Sequence, residues 1–97
     1  MSSPTNTPVV RHDLEKRRFE LEVDGMLSVA DYQLRGNDIV MTHTFVPPEL
    51  RGRGIAEQLV RCALEFARTE RLRVVPSCSY VDSFIRRHAE YQPLLAT

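Results

Sequence analysis

The stretch best suited to bind a ligand is the short loop Arg51–Ala56, which contains two arginines and two glycines. Its glycines lack Cβ atoms, so a ligand can approach the backbone closely. No residue with a short polar side chain lies between Pro47 and Ala56 to cap the helix predicted to follow, so the first N–H groups of that helix need acceptors. The arginines add cations at the positive end of the helix dipole. A bound phosphate would satisfy both features, whereas the alternative is a surface turn with solvated arginines.

The loop is positioned by a predicted strand before it and a predicted helix after it. Residues 38–46 are apolar on both faces, which is typical of an interior strand, and Pro47 and Pro48 end the strand. Apolar residues recur with helical spacing from about residue 53 to residue 70. Strict alternation along the strand predicts one face made of Ile39, Met41, His43 and Phe45, and a second made of Val40, Thr42, Thr44 and Val46.

Two further strands are predicted to precede this unit. Residues 18–23 alternate between apolar and polar side chains, and residues 26–34 do so with an irregularity at Ala30-Asp31, where a bulge is possible. Asp24-Gly25 is a strong hairpin signal between them, and Gly36-Asn37 marks the next turn.

The remainder of the chain predicts a short strand at residues 72–75 and a second helix at residues 80–89. The predicted fold class is therefore α+β, with three antiparallel strands followed by helix, strand and helix, and a mixed sheet flanked by two helices.

Composition excludes several classes of protein. The chain has 97 residues, so we expect one domain at residues 9–97, preceded by a disordered Ser/Thr/Pro-rich tail at residues 1–8. Lys and Arg number 13, as do Asp and Glu, so nothing indicates a nucleic-acid or membrane partner. Cys62 and Cys78 are too far apart for a zinc pattern or a disulfide framework. We expect free thiols, no metal, a cytoplasmic location and a monomer or weak dimer.

Two side chains near the loop are candidates for catalysis. The neutral imidazole of His43 is suited to act as a general base near pH 7, although a half-buried structural histidine is equally compatible. Cys78 lies at the start of the second predicted helix, where the pKa of a thiol is generally lowered. It could carry an acyl group transiently or line the pocket for the donor's thiol, and the alternative is a buried apolar thiol. We expect core, structural or surface roles for Cys62, His12, His88, Tyr80 and Tyr91.

The loop also resembles a known motif. Arg51-x-x-Gly54-x-Ala56, after a strand and at the start of a helix, is similar to the Gln/Arg-x-x-Gly-x-Gly/Ala acetyl-CoA motif of the GNAT superfamily of N-acetyltransferases. The segments at residues 43–56, 78–81 and 88–91 resemble the short single-domain, YjdJ-type branch of that superfamily. The resemblance extends over about residues 10–95.

The resemblance implies an acetyl-CoA-dependent N-acetyltransferase whose acceptor is an unidentified amine, such as a protein or peptide lysine or a small amine. It implies that acetyl-CoA is the acyl donor, with its pantetheine arm along the third strand and its pyrophosphate on the loop. It also implies these donor-binding residues: Phe45, Val46, Arg51, Gly52, Arg53, Gly54, Ile55 and Ala56.

The chain departs from the superfamily pattern at the second helix. The superfamily has an Asn at the start of that helix and a Tyr about two turns later, whereas this chain has Cys78 near the first position and Phe84 or Ile85 near the second. The identity of the general acid that protonates the leaving thiolate is therefore open, with Cys78 or a water as candidates. Two alternatives also remain, a non-catalytic acyl-CoA-binding module and acyl transfer through a Cys78 thioester.

Overall fold

A mixed five-stranded sheet forms one layer of the fold in the computed structural model, which describes residues 9–96. The predicted tail at residues 1–8 lies outside the described residues. The strands follow chain order across the sheet, and every neighbouring pair is antiparallel except the fourth and fifth, which are parallel. They are β1 (Arg11–Asp13), β2 (Arg18–Val23), β3 (Met26–Arg35), β4 (Asp38–Phe45) and β5 (Arg73–Pro76).

The helices form the second layer. They are α1 (Ile55–Thr69) and α2 (Ser79–Arg87), with 3₁₀ segments at Pro48–Leu50 and Ala89–Leu94. The buried residues of both α-helices join one core with the buried residues from a single face of β2, β3 and β4, so both helices lie on that face. The predicted α+β class is confirmed. The sequence predicted no strand before residue 18, but residues 11–13 form β1, which pairs with β2.

The hairpin between β2 and β3 has the turn that its sequence predicts. Asp24 and Gly25 have φ angles of 53° and 76°, and left-handed backbone at both central positions is typical of a type I′ turn. The twist of this turn matches the twist of the paired strands. It therefore sets the register in which Val23 pairs with Met26 and Arg18 pairs with Asp31.

A β-bulge interrupts the pairing of β3 with β4. Asp31 pairs with His43 and the next residue, Tyr32, pairs with Met41, so Thr42 is an extra residue in β4. The irregularity lies at Asp31, next to the blurred alternation in the sequence, but the inserted residue belongs to the neighbouring strand. A bulge inserts one residue and so exchanges the two faces of the strand beyond it.

The bulge makes the predicted faces of β4 wrong. Ile39 and Met41 are fully buried beneath the helices, as expected of one face. Beyond the bulge it is Thr44 that shares the helix face, since it pairs with Ala30 of the core. His43 and Phe45 therefore lie on the opposite face, where Phe45 is 41% exposed.

The fourth strand extends beyond its parallel partner. Pairing between β4 and β5 ends at Met41 and Pro76, whereas β4 continues to Phe45. The last four residues of β4, 42–45, thus lie beyond the last pair with β5. An unpaired strand edge is a template for an extended ligand.

Two histidines outside the site have structural roles. His12, expected at the surface, is half-buried: its ring stacks on Phe19 with centroids 4.0 Å apart, and its Nε2 atom is within hydrogen-bond distance of the Tyr32 hydroxyl. Burial lowers the pKa of His12, and the nearby Asp13 carboxylate opposes this shift. His88 ends α2 with Nδ1 2.7 Å from the Phe84 carbonyl, so its predicted structural role is confirmed.

Candidate acyl-donor site

A cleft of about 370 Å³ opens on the helix face, where β4, the arginine–glycine loop and the first turns of both α-helices meet. Its size lies within the range of small-molecule sites. Most of the predicted donor-binding residues line it. The lining comprises Thr44, Phe45, Val46, Leu50, Arg51, Gly52, Gly54, Ile55, Ala56, Glu57 and Tyr80.

The backbone at the start of α1 is free to bind an anion. Gly54 is the N-cap residue, with a left-handed φ of 76°, and α1 has no side-chain cap. Gly52 is also left-handed, with a φ of 84°. Among the described residues, no atom accepts a hydrogen bond from the amides of Gly52, Arg53 or Gly54. Unpaired amides at the positive end of a 15-residue helix are the donors that a phosphate requires.

The glycines leave space beside these amides. A Cβ atom added at Gly52 or Gly54 would meet no atom within 4 Å, so both positions face open space. In the free chain, glycine is required at these positions by the backbone conformation and not by lack of space, because a non-glycine residue with a left-handed backbone is strained.

The two arginines of the loop differ in what they contact. Arg51 donates from Nε to the Val46 carbonyl at 2.9 Å, so its guanidinium fastens the loop to the end of β4. Arg53 lies 3.8 Å from the Asp24 carboxylate, with both side chains more than half exposed, which is a weak contact. Arg53 does not line the cleft, but its guanidinium is less engaged than that of Arg51 and is therefore the more available cation for an anionic ligand.

Cys78 connects α2 to β4. Its amide donates to the Met41 carbonyl at 2.8 Å, and its Sγ lies 3.5 Å from Thr44 Oγ1. Burial raises the pKa of the Cys78 thiol, but the Thr44 hydroxyl and the amides of Val81 and Tyr80 together outweigh burial and lower it. The amides of Tyr80 and Val81 lie in the first turn of α2, where a nearby thiolate is stabilised.

The two candidate catalytic residues lie on different sides of β4. His43 is exposed on the face away from the helices, with its ring nearly parallel to that of Phe45 and 6.5 Å from it. Cys78 contacts Thr44 on the helix face. Neither His43 nor Cys78 is among the residues that line the cleft, although Thr44, which separates them, does line it.

Sequence reasoning did not assign Thr44 or Tyr80 to the site. Tyr80 packs against the core and lines the cleft; burial raises the pKa of its hydroxyl, the Glu57 carboxylate adds to the shift and Arg87 opposes it. The predicted position of Tyr80 in the first turn of α2 could have indicated that it belongs to the site. No sequence feature could have indicated Thr44, because the orientation of its side chain depends on the bulge.

The described part of the chain has no helix long and apolar enough to span a membrane. Residues 9–96 also contain no group of three or more His, Cys, Asp or Glu side chains that could hold a metal ion.

Comparisons with known proteins show which family the chain resembles. The model of the GCN5-related N-acetyl-transferase family matches residues 18–94. Protein NATD1 of Bos taurus is 38% identical over 82 residues, which cover 81% of this chain and 73% of that protein. Protein NATD1 of Homo sapiens is 35% identical over 82 residues, with coverages of 81% and 73%.

One solved structure has the same fold. It is the NMR solution structure of a Staphylococcus aureus protein described as GCN5-like, and it superposes with a TM-score of 0.76 at 24% sequence identity. The match covers 95% of this chain and 91% of that one.

Proposed function

Because the chain belongs to the GCN5-related N-acetyl-transferase family, we propose that it transfers an acetyl group from acetyl-CoA to an amine. The observation that carries this proposal is the meeting, in one cleft, of free amides at the start of α1 and an unpaired edge of β4. The first feature is suited to a diphosphate and the second to an extended arm of alternating donors and acceptors.

We assign the donor site to the loop and to the end of β4. The amides of Gly52, Arg53 and Gly54 would bind the diphosphate, and the Arg53 guanidinium would add a charge-assisted contact. Arg51 holds the loop against β4, and Ile55 and Ala56 begin the helix whose dipole favours the anion. Backbone groups of Phe45 and Val46 would bind the pantetheine arm.

The reaction needs two proton transfers beside the thioester that acetyl-CoA supplies. His43 would accept the proton that the amine nitrogen loses as it forms the amide bond. Cys78 would donate a proton at the sulfur that leaves as the carbon–sulfur bond breaks; the lowered pKa of its thiol favours this donation. Exchange with solvent returns both groups to their starting states, so amine and thioester become amide and free thiol.

A second function has one observation in its favour. Neither His43 nor Cys78 lines the cleft, as expected if the chain binds an acyl-CoA but does not transfer its acyl group. Such a module would need the loop and the strand edge but neither of those side chains. For either function we propose a cytoplasmic location, a reducing compartment that suits the free thiols of Cys62 and Cys78.

Labelled acetyl-CoA and a panel of lysine peptides and polyamines test the proposed activity. We expect transfer by the wild-type chain, and a fall in kcat/KM of about 100-fold or more in His43→Ala, which is the usual size of a general-base contribution. Cys78→Ala should reduce kcat with little change in donor affinity, and Cys62→Ala, in the middle of α1, is the matched control.

Each other outcome has a distinct meaning. Donor binding without transfer to any acceptor would favour the binding module. Activity retained in both His43→Ala and Cys78→Ala would contradict the catalytic assignments. An acetyl group found on Cys78 in the intact-protein mass would indicate a thioester intermediate in place of direct transfer.

A further inference from the structure

We propose that Asp31 of β3 is a positioning residue for His43: its carboxylate accepts a hydrogen bond from the imidazole and orients the other ring nitrogen toward the acceptor amine. This inference rests on the proposed acetyl transfer, since it assigns to Asp31 a part in that reaction. It concerns the sheet face opposite the helices.

The bulge at Thr42 makes Asp31 and His43 opposite partners on the same face of the sheet. Asp31 and His43 are direct partners across β3 and β4, and both lie on the face away from the helices. Directly opposed residues in an antiparallel pair have Cβ atoms about 4.5–5.5 Å apart. Without the extra residue, strict alternation would place His43 on the same face as Met41, beneath the helices, and would leave Asp31 without this partner.

The Asp31 carboxylate lies near the charge of Arg18, whose pKa is raised by the hydrogen bond to Glu20 and, to a smaller extent, by Asp31, but the Asp31 carboxylate accepts no hydrogen bond from that side chain. Arg18 of β2 is the other direct partner of Asp31, but its Nε lies 2.6 Å from the Glu20 carboxylate, which Arg11 also contacts at 3.0 Å. Thr42 bonds the backbone carbonyl of Asp31 and not its side chain. Among residues 9–96, no side chain donates a hydrogen bond to the Asp31 carboxylate.

Although Asp31 and His43 are cross-strand partners, their side chains are not hydrogen-bonded in the free chain, so the proposed bond requires a change of rotamer at one or both residues. Catalytic hydrogen bonds are often long before substrate binds. Once formed, the bond would hold one tautomer of the His43 ring, with the free lone pair facing solvent. The carboxylate would also stabilise the imidazolium that forms when His43 takes the amine proton. Asp31 itself gains no proton and forms no covalent bond.

Kinetics of variants test whether Asp31 acts through His43. We expect Asp31→Asn to lower kcat by about tenfold or more, the usual effect of a hydrogen bond to a charged group, with the KM for acetyl-CoA unchanged. Asp31→Glu should restore part of the loss. Glu22→Gln is the matched control, since Glu22 is an exposed carboxylate on the same face and pairs with Leu27 rather than with β4.

A double-mutant cycle gives the sharpest kinetic result. If Asp31 acts only through the imidazole, Asp31→Asn should have no further effect in a His43→Ala background. Equal fold-losses in both backgrounds would overturn the proposal. A rise in the acceptor KM alone would also overturn it, since it would mean that Asp31 binds the acceptor's charge instead.

A second measurement does not require turnover. Long-range ¹H–¹⁵N NMR spectra at alkaline pH report which ring nitrogen carries the proton, and His43→Ala identifies the His43 signals. We expect one dominant tautomer in the wild-type chain and in Glu22→Gln, and a mixture in Asp31→Asn. An identical tautomer distribution in all three would overturn the pairing. Absence of transfer by the wild-type chain would instead contradict the proposed function, so the two failures are distinguishable.

Discussion

The two α-helices begin side by side at the cleft, and their first turns differ in how their N–H groups are used. At the start of α1 the amides of Gly52, Arg53 and Gly54 donate to no atom of the described chain. At the start of α2 the amide of Cys78 donates to Met41, and the next amides act on the Cys78 sulfur.

The difference indicates which helix start binds the donor. Both helices lack a side-chain cap, so absence of a cap does not by itself distinguish them. The dipole of α2 is directed at a thiol of the same chain, whose pKa it helps to lower. The dipole of α1 is directed at open space beside two glycines, so of the two helix starts that of α1 is the one open to an external anion.

The largest expected effect comes from removing the left-handed glycine of α1. Gly54→Val places a β-branched residue at a φ of 76°, which costs about 1–2 kcal/mol or more and turns the loop amides away from a shared ligand. Losing two charge-assisted hydrogen bonds at about 1.5 kcal/mol each should weaken acetyl-CoA binding about 100-fold, as measured by calorimetry.

Gly36→Val is the control for backbone strain. Gly36 has a φ of 56°, and an added Cβ would meet no atom within 4 Å, but the residue lies in the β3–β4 turn and does not line the cleft. Both variants should lose thermal stability to a similar extent, while only Gly54→Val should lose affinity. Unchanged affinity in Gly54→Val would show that the donor does not bind at the start of α1.

A moderate effect is expected from the exposed arginine of the loop. Arg53→Gln should weaken acetyl-CoA binding by a factor of about 1.4–5 and reduce its salt dependence, because an exposed charge contact contributes about 0.2–1 kcal/mol. Arg86→Gln at the end of α2 removes the same charge at a distance from the loop and should have no effect. Equal losses in the two variants would indicate a general charge effect and no direct contact.

The smallest effect concerns the start of α2. The pKa of the Cys78 thiol is lowered and burial raises the pKa of the Cys62 thiol, so at pH 7.5 a larger fraction of Cys78 is thiolate. We expect iodoacetamide to modify Cys78 faster, as followed by mass spectrometry. Thr44→Val removes a hydrogen bond that lowers the pKa and should slow modification of Cys78 by a factor of a few.

Thr69→Val, at the exposed end of α1, controls for loss of a threonine hydroxyl and should leave the rate unchanged. Equal rates at Cys62 and Cys78 would contradict the view that the first turn of α2 activates its own cysteine. The difference between the two helix starts would then have no effect on the reactivity of Cys78.

Local sequence determined much of this protein. The Asp24-Gly25 dipeptide predicts its own turn because both residues tolerate left-handed backbone. The helical periodicity after residue 54 predicts α1, and the lack of a capping side chain predicts its open start. These features depend on neighbouring residues in the chain, so no tertiary information is needed to read them.

Which side chains meet depends on long-range packing, which the local sequence does not show. The face on which His43 lies depends on one extra residue opposite β3, and a period-two pattern in β4 alone cannot show that a partner strand skips a residue. Contact between Cys78 and Thr44, 34 residues apart, and the place of Tyr80 in the cleft depend on how α2 packs against β4. Long-range packing thus decided the chemistry on each side of the strand, whereas local propensity determined the loop beside it.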